Sequence, residues 1–151
     1  MDRDFKRSII LDNYQNANKK YVSDGEEFTK INTRNVSCID NLDIYIDMKD
    51  NIIKDISFEG EACVISTSST NIMINLLKEK TIDEALEIIK NYDNMIKEKD
   101  YDKDLIGEAI VYDDIYKQPN RIKCATLSWD GLYKELLKYR KSNRHKLILI
   151  I

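Results

Sequence analysis

The spacing of hydrophobic positions changes twice along the chain. In residues 4 to 16, DFKRSIILDNYQN, the apolar side chains Phe5, Ile9, Leu11 and Tyr14 fall at loose helical spacing and predict a first amphipathic helix. Residues 17 to 27 are polar and read as a loop. From Glu27 to Ala62 the period becomes two. FTKINTRN reads as a short strand, and NLDIYIDM alternates strictly, with Leu42, Ile44, Ile46 and Met48 on one face and Asp43, Tyr45 and Asp47 on the other. KDN has turn chemistry, and IIKDISFEG returns with Ile56 and Phe58 facing inward. This pattern predicts a β-meander with one buried face.

After Cys63 the pattern is helical. STSSTNIMINLLK, residues 66 to 78, offers N-cap hydroxyls ahead of Ile72, Met73, Leu76 and Leu77. TIDE, residues 81 to 84, is a capping box, Thr81 with Glu84 three later, opening a helix through Ala85, Leu86, Ile89 and Ile96. DLIGEAIVYDDIY reads as a further helix. Beyond Pro119, residues 125 to 140 carry Trp129, Leu132, Tyr133 and Leu136 on one stripe. Strands followed by helices predict an α+β fold, a three-stranded antiparallel sheet packed against several helices. A domain over residues 1–140 and a tail over 141–151 follow, and the tail's terminal LILII suggests an added edge strand or packing segment.

Composition narrows the class. At 151 residues the chain is long enough for one substantial core, and 42% hydrophobic with 34% charged residues is ordinary for a globular protein. A net charge of −3, with both signs interleaved, lacks the basic patch of a nucleic-acid binder. No apolar run approaches the ~20 residues that span a bilayer, and MDRDFKRSII is no signal peptide. Three cysteines, an odd number, argue against a secreted disulfide framework and for a cytoplasmic protein with free thiols.

Those thiols sit at the ends of elements. Cys38 lies in the turn before the second strand, Cys63 directly after the third, and Cys124 ahead of the last long helix. Three thiolates make an incomplete tetrahedron for zinc, and Asp40, two residues from Cys38, is the candidate fourth ligand. His145, the only histidine, lies in the tail and is poorly placed. By residue type alone, buried apolar cysteines and a turn aspartate remain open as alternatives.

The segments NVSCID (35 to 40), GEACVIS (60 to 66) and RIKCATLSW (121 to 129) resemble, in order and spacing, three motifs of the SufU family. Those motifs are Asn-Pro-x-Cys-Gly-Asp, Gly-Glu-Gly-Cys-x-Ile-Ser and Arg-Ile-Lys-Cys-Ala-Thr-Leu-x-Trp. The family comprises iron–sulfur cluster assembly proteins related to the IscU and NifU scaffolds. The chain departs from the motifs at Val36, Ile39 and Ala62, which stand for a Pro and two Gly. If position 39 required φ > 0, a β-branched residue there would be strained. Lys123 stands where IscU-type scaffolds carry His, QPNR replaces their Pro-rich loop, and residues 80 to 105 match a SufU-type insertion.

The resemblance implies a SufU/IscU-like fold and a zinc site formed by Cys38, Asp40, Cys63 and Cys124. It implies a zinc-dependent sulfurtransferase in which Cys38 accepts persulfide sulfur from a PLP-dependent cysteine desulfurase (SufS-like), released from the metal when a desulfurase side chain replaces it. The sulfur then moves toward a downstream Fe–S scaffold. Arg121, inside the third motif, is the candidate supporting cation. Cys124 at a helix N-terminus would feel the positive end of the macrodipole, which favours the thiolate. Two alternatives stand beside this one: a scaffold assembling an Fe–S cluster on the same cysteines, and a non-catalytic zinc-stabilised module that binds a desulfurase.

Overall fold

The computed structural model describes residues 1–17 and 28–150, with side chains through residue 143. Most of the polar stretch expected as a loop at 17 to 27 lies outside the described residues. The elements are α1 (Arg3–Gln15), β1 (Thr29–Arg34), β2 (Asn41–Lys49), β3 (Ile52–Glu61), α2 (Val64–Leu77), α3 (Ile82–Ile96), α4 (Lys103–Ile106) and α5 (Pro119–Ile150). The three strands form one antiparallel sheet in the order β1-β2-β3, as the alternation predicts.

Register follows from the buried face. Ile44 pairs with Phe58 and Ile46 with Ile56, and all four are at most 1% exposed. Asp50 and Asn51 connect β2 to β3 with φ of 54° and 62°. Positive φ at both central residues gives a two-residue turn whose twist matches that of the strands, and Asp and Asn tolerate it best after Gly. The free edge of β3 is covered by the α2–α3 connection, where Ile53 N–H donates to Lys80 O and Glu79 N–H to Ile53 O. Covering an edge in this way removes a pairing site for other chains.

The inner sheet face packs on α2, α3 and α5 through Ile72, Met73, Leu86, Ile89, Trp129 and Leu132. The Thr81–Glu84 capping box opens α3, each side chain bonded to the other's backbone N–H.

Four expectations are corrected. On α1 only part of the expected apolar set faces inward: Ile9 packs on the core, while Phe5 is 55% exposed, Leu11 and Tyr14 are exposed, and Asn13 is the buried residue. The helix is also docked by polar groups, Lys6 to Asp113 and Asp114, and Asn13 to Asn71 and Glu108, spaced one helical face apart. DLIGEAIVYDDIY is not one helix. It breaks at Gly107, whose φ of 44° ends α4, and continues as two 3₁₀ segments, Gly107–Tyr112 and Ile115–Lys117. The last helix starts at Pro119 rather than near Ala125, because a proline's fixed φ and missing N–H suit the first helical position. The tail is no edge strand: α5 runs through it to Ile150, with no Gly or Pro after Gly131 to stop it.

Candidate metal centre

Three chain segments converge at one end of the sheet. The first, between β1 and β2, is a tight loop. Cys38 N–H donates to Asn35 O at 3.0 Å, Ser37 N–H to the Asn35 side-chain oxygen at 3.1 Å, and Asn35 N–H to Asp40 O at 3.0 Å. An Asn at the head of such a turn substitutes its side chain for backbone, which explains why the loop can reverse without glycine. Ile39 has no positive φ, so the β-branched residue sits on ordinary backbone, and its side chain is 65% exposed. The strain that a glycine-requiring position would impose is absent here.

The second segment leaves β3 through Gly60. Its φ is 123°, and a Cβ there would stand 2.2 Å from Asn41 O, so only glycine lets the strand ends close this tightly. Cys63 follows as the N-cap of α2, its Sγ accepting the Ser66 N–H at 3.4 Å. The third is α5, where Cys124 lies in the second turn and is 3% exposed. The dipole role expected for Cys124 therefore belongs to Cys63, since the effect fades beyond the first turn.

Cys38, Asp40, Cys63 and Cys124 each bring one ligand atom to within 4.8 Å of all the others. Cys38 Sγ lies 3.7 Å from Asp40 Oδ1, and Cys63 Sγ 3.9 Å from Oδ2. Zinc with Zn–S bonds of ~2.3 Å holds tetrahedral ligand atoms about 3.8 Å apart, so these spacings fit the ion. Asp40 is 0% exposed and, among the described residues, has no ion-pair partner; its one strong bond is from Cys63 N–H, at 2.8 Å. A carboxylate buried beside three thiols and no cation is a costly arrangement that a divalent ion relieves. Burial pushes the Cys63 thiol up, against the pull of the Ser66 N–H, and pushes Cys124 well up, with Asp40 and Cys63 adding to it. Without a cation these thiols stay protonated at neutral pH; a coordinated ion is what would ionise them.

Cys38 is half-buried and borders two clefts, one with Asn35, Arg121, Lys123 and Cys124, the other with Arg34, Ile39, Asn41 and Gly60. Arg121 stands exposed on the rim of the first cleft rather than among the ligand atoms. His145 falls where only backbone is described. Asn35, which sequence reasoning passed over, is 4% exposed with its side-chain N–H₂ 3.9 Å from Cys124 Sγ. Its signals in the sequence were its place at the head of the NVSCID segment and the Asn-x-Ser order ahead of Cys38.

Below the centre, α5 is locked by a second cluster. Ser69 O–H and Tyr92 O–H both donate to Ala125 O, at 2.7 and 2.6 Å, and Trp129 Nε1–H donates to Ser69 Oγ at 2.8 Å. The Tyr92 and Trp129 rings stack with centroids 3.8 Å apart. These contacts fix the backbone immediately after Cys124. Among the described residues, no helix is long and apolar enough to cross a membrane.

Comparison with known proteins agrees with the motifs. The chain is 35% identical over 138 residues to the zinc-dependent sulfurtransferase SufU of Bacillus subtilis, covering 91% of this chain and 92% of that one. It is 33% identical over 130 residues to the iron–sulfur cluster assembly scaffold protein IscU of Thermotoga maritima, covering 85% and 89%. A crystal structure of a putative iron–sulfur cluster assembly scaffold protein for the SUF system, from Fervidobacterium islandicum, superposes with a TM-score of 0.75 at 34% identity, covering 82% of this chain and 90% of that one. The NifU-like N terminal domain pattern matches residues 6–146. With its converging Cys₃Asp cluster and SufU and IscU relatives, the chain belongs to the NifU-like N-terminal domain family.

Proposed function

We propose that this protein is a zinc-dependent sulfur acceptor in iron–sulfur cluster assembly, taking persulfide sulfur from a PLP-dependent cysteine desulfurase and passing it toward a downstream scaffold in the cytoplasm. The observation that carries the proposal is the convergence of four ligand atoms within 4.8 Å in a family whose Bacillus relative is named a zinc-dependent sulfurtransferase. In this reading Cys38, Asp40, Cys63 and Cys124 hold the zinc, which when bound keeps thiols deprotonated at neutral pH. Cys63 and Cys124 are anchored by the helices that carry them. Cys38, on a loop and open to two clefts, is the acceptor.

The transfer is a thiol–disulfide-type displacement. The Cys38 thiolate attacks the terminal sulfur of the donor persulfide, and a new S–S bond forms as the donor's S–S bond breaks. The donor cysteine leaves as a thiolate, and Cys38 becomes the persulfide, with no external oxidant or reductant. Arg121, on the cleft rim, offsets the negative charge of a Cys₃Asp shell and of the incoming persulfide.

Metal analysis of the purified wild type and Asp40→Ala tests the site: about one zinc per chain, loosened by the substitution, is expected. Desulfurase turnover should then rise on adding the wild type and not on adding Cys38→Ala. Binding of a desulfurase without stimulation would leave only a docking module. The IscU relative at 33% identity favours a second reading, a scaffold. Its mark would be iron–sulfur absorbance after reconstitution that survives in the presence of zinc.

A further inference from the structure

The three thiols of the cluster are not equivalently supported. Cys63 Sγ accepts a backbone N–H from Ser66 at 3.4 Å, and Cys124 Sγ has the Asn35 side-chain N–H₂ at 3.9 Å. Cys38 Sγ, among the described residues, has no N–H donor; its hydrogen-bond contact is with an acceptor, Asp40 Oδ1 at 3.7 Å, beside the other two thiols of the cluster. A hydrogen bond to an ionised sulfur stabilises the thiolate and draws charge from it, and such outer partners fix the orientation and grip of metal ligands. The cluster thus contains two supported sulfurs and one bare one.

We infer that Asn35 is a positioning residue that keeps Cys124 on the metal while Cys38 remains free to leave it. This rests on the metal reading above. One side chain serves both halves of the task. Its oxygen accepts from Ser37 N–H and its backbone carbonyl from Cys38 N–H, shaping the loop that presents Cys38. Its nitrogen reaches across to α5 and Cys124. Asn35 is 4% exposed, so water does not compete for that contact. An aspartate at 35 would keep the turn and lose the donor. A serine would keep a weaker turn and lose the reach.

The test compares zinc-loaded wild type, Asn35→Asp and Asn35→Ser. The readouts are the rate of zinc release to a chromophoric chelator and the order of cysteine alkylation mapped by mass spectrometry. Circular dichroism checks the fold. Both variants are expected to release zinc roughly tenfold faster, the lower end of the effect seen for outer-shell partners of metal ligands. Cys124 should then join Cys38 among the alkylated residues. A second measurement needs no variant: in cadmium-113-loaded, nitrogen-15-labelled wild type, the Asn35 side-chain amide protons should show scalar coupling to the metal through Cys124 sulfur. Release rates and alkylation order within twofold of wild type for Asn35→Asp, with no such coupling, would overturn the inference and leave Asn35 a turn residue. A wild type that takes up neither zinc nor cadmium would overturn the metal reading and this one with it.

Discussion

Cys124 and Trp129 stand on neighbouring turns of α5, and each sits in a cluster of buried polar atoms built on the opposite plan. Around Trp129, donors and acceptors close on one another: indole to Ser69, Ser69 and Tyr92 to the Ala125 carbonyl, ring upon ring. Such a network is stable by itself because each polar atom named exchanges water for a protein partner. Around Cys124, three thiols and a carboxylate meet with two N–H···S contacts and one strong bond to Asp40 and, among the described residues, no ion-pair partner for that carboxylate. That arrangement is incomplete without a guest ion. The self-sufficient cluster holds α5 still so that the incomplete one keeps its geometry.

The comparison predicts different responses to damage. The largest concerns the incomplete cluster: stripping the bound zinc with a chelator should lower Tm by roughly 8–16 °C, from ~4 kcal/mol of ligand stabilisation at free zinc a thousandfold above Kd and ~2–4 °C per kcal/mol for a chain of this size. A scanning calorimetry trace unmoved by the chelator would break the comparison. Next, Trp129→Ala should cost about 3–5 kcal/mol by chemical denaturation, because it empties a fully buried site and removes the indole donor to Ser69 Oγ. Tyr92→Phe keeps the stacked ring and loses one of two donors to Ala125 O, so about 1 kcal/mol is expected, with zinc stoichiometry unchanged. Loss of zinc in this variant would mean that the two clusters are one cooperative unit.

The smallest effect is one of pH on the metal-free protein. Burial raises the thiols of Cys63 and Cys124 in the folded state. As pH rises through the ordinary thiol value of ~8.5, the unfolded chain releases protons that the folded chain retains, so stability falls. Thermal melts of metal-free protein should therefore decline between about pH 8 and pH 10. A Cys63→Ser, Cys124→Ser double variant should flatten that decline.

Much of this was legible along the chain. The strict alternation of β2, the KDN turn and the Thr81–Glu84 capping box are local rules, satisfied by residues next to one another, and all three stand as read. The cysteines and Asp40 were legible as residue types and, by resemblance, as a set. The helical stripes of α3 and α5 also face the core as read, through Ala85, Leu86, Ile89, Trp129, Leu132 and Leu136. On α1 the apolar spacing told only part of the docking: Ile9 packs on the core, but Phe5, Leu11 and Tyr14 do not, and Lys6 and Asn13 add contacts whose partners Asp113, Asp114 and Asn71 come from distant segments.

By itself, then, the sequence determined the three strands, their turn, the α3 helix and the residue types of the candidate site, since propensity, periodicity and side-chain type are properties of short stretches. Tertiary structure alone decided that Cys124, one turn inside α5, meets Cys63 at the cap of α2. It also decided that Ile39 needs no positive φ and that Asn35 reaches Cys124 from 89 positions away. Those outcomes depend on distances between segments far apart in the chain, which only the packed core sets.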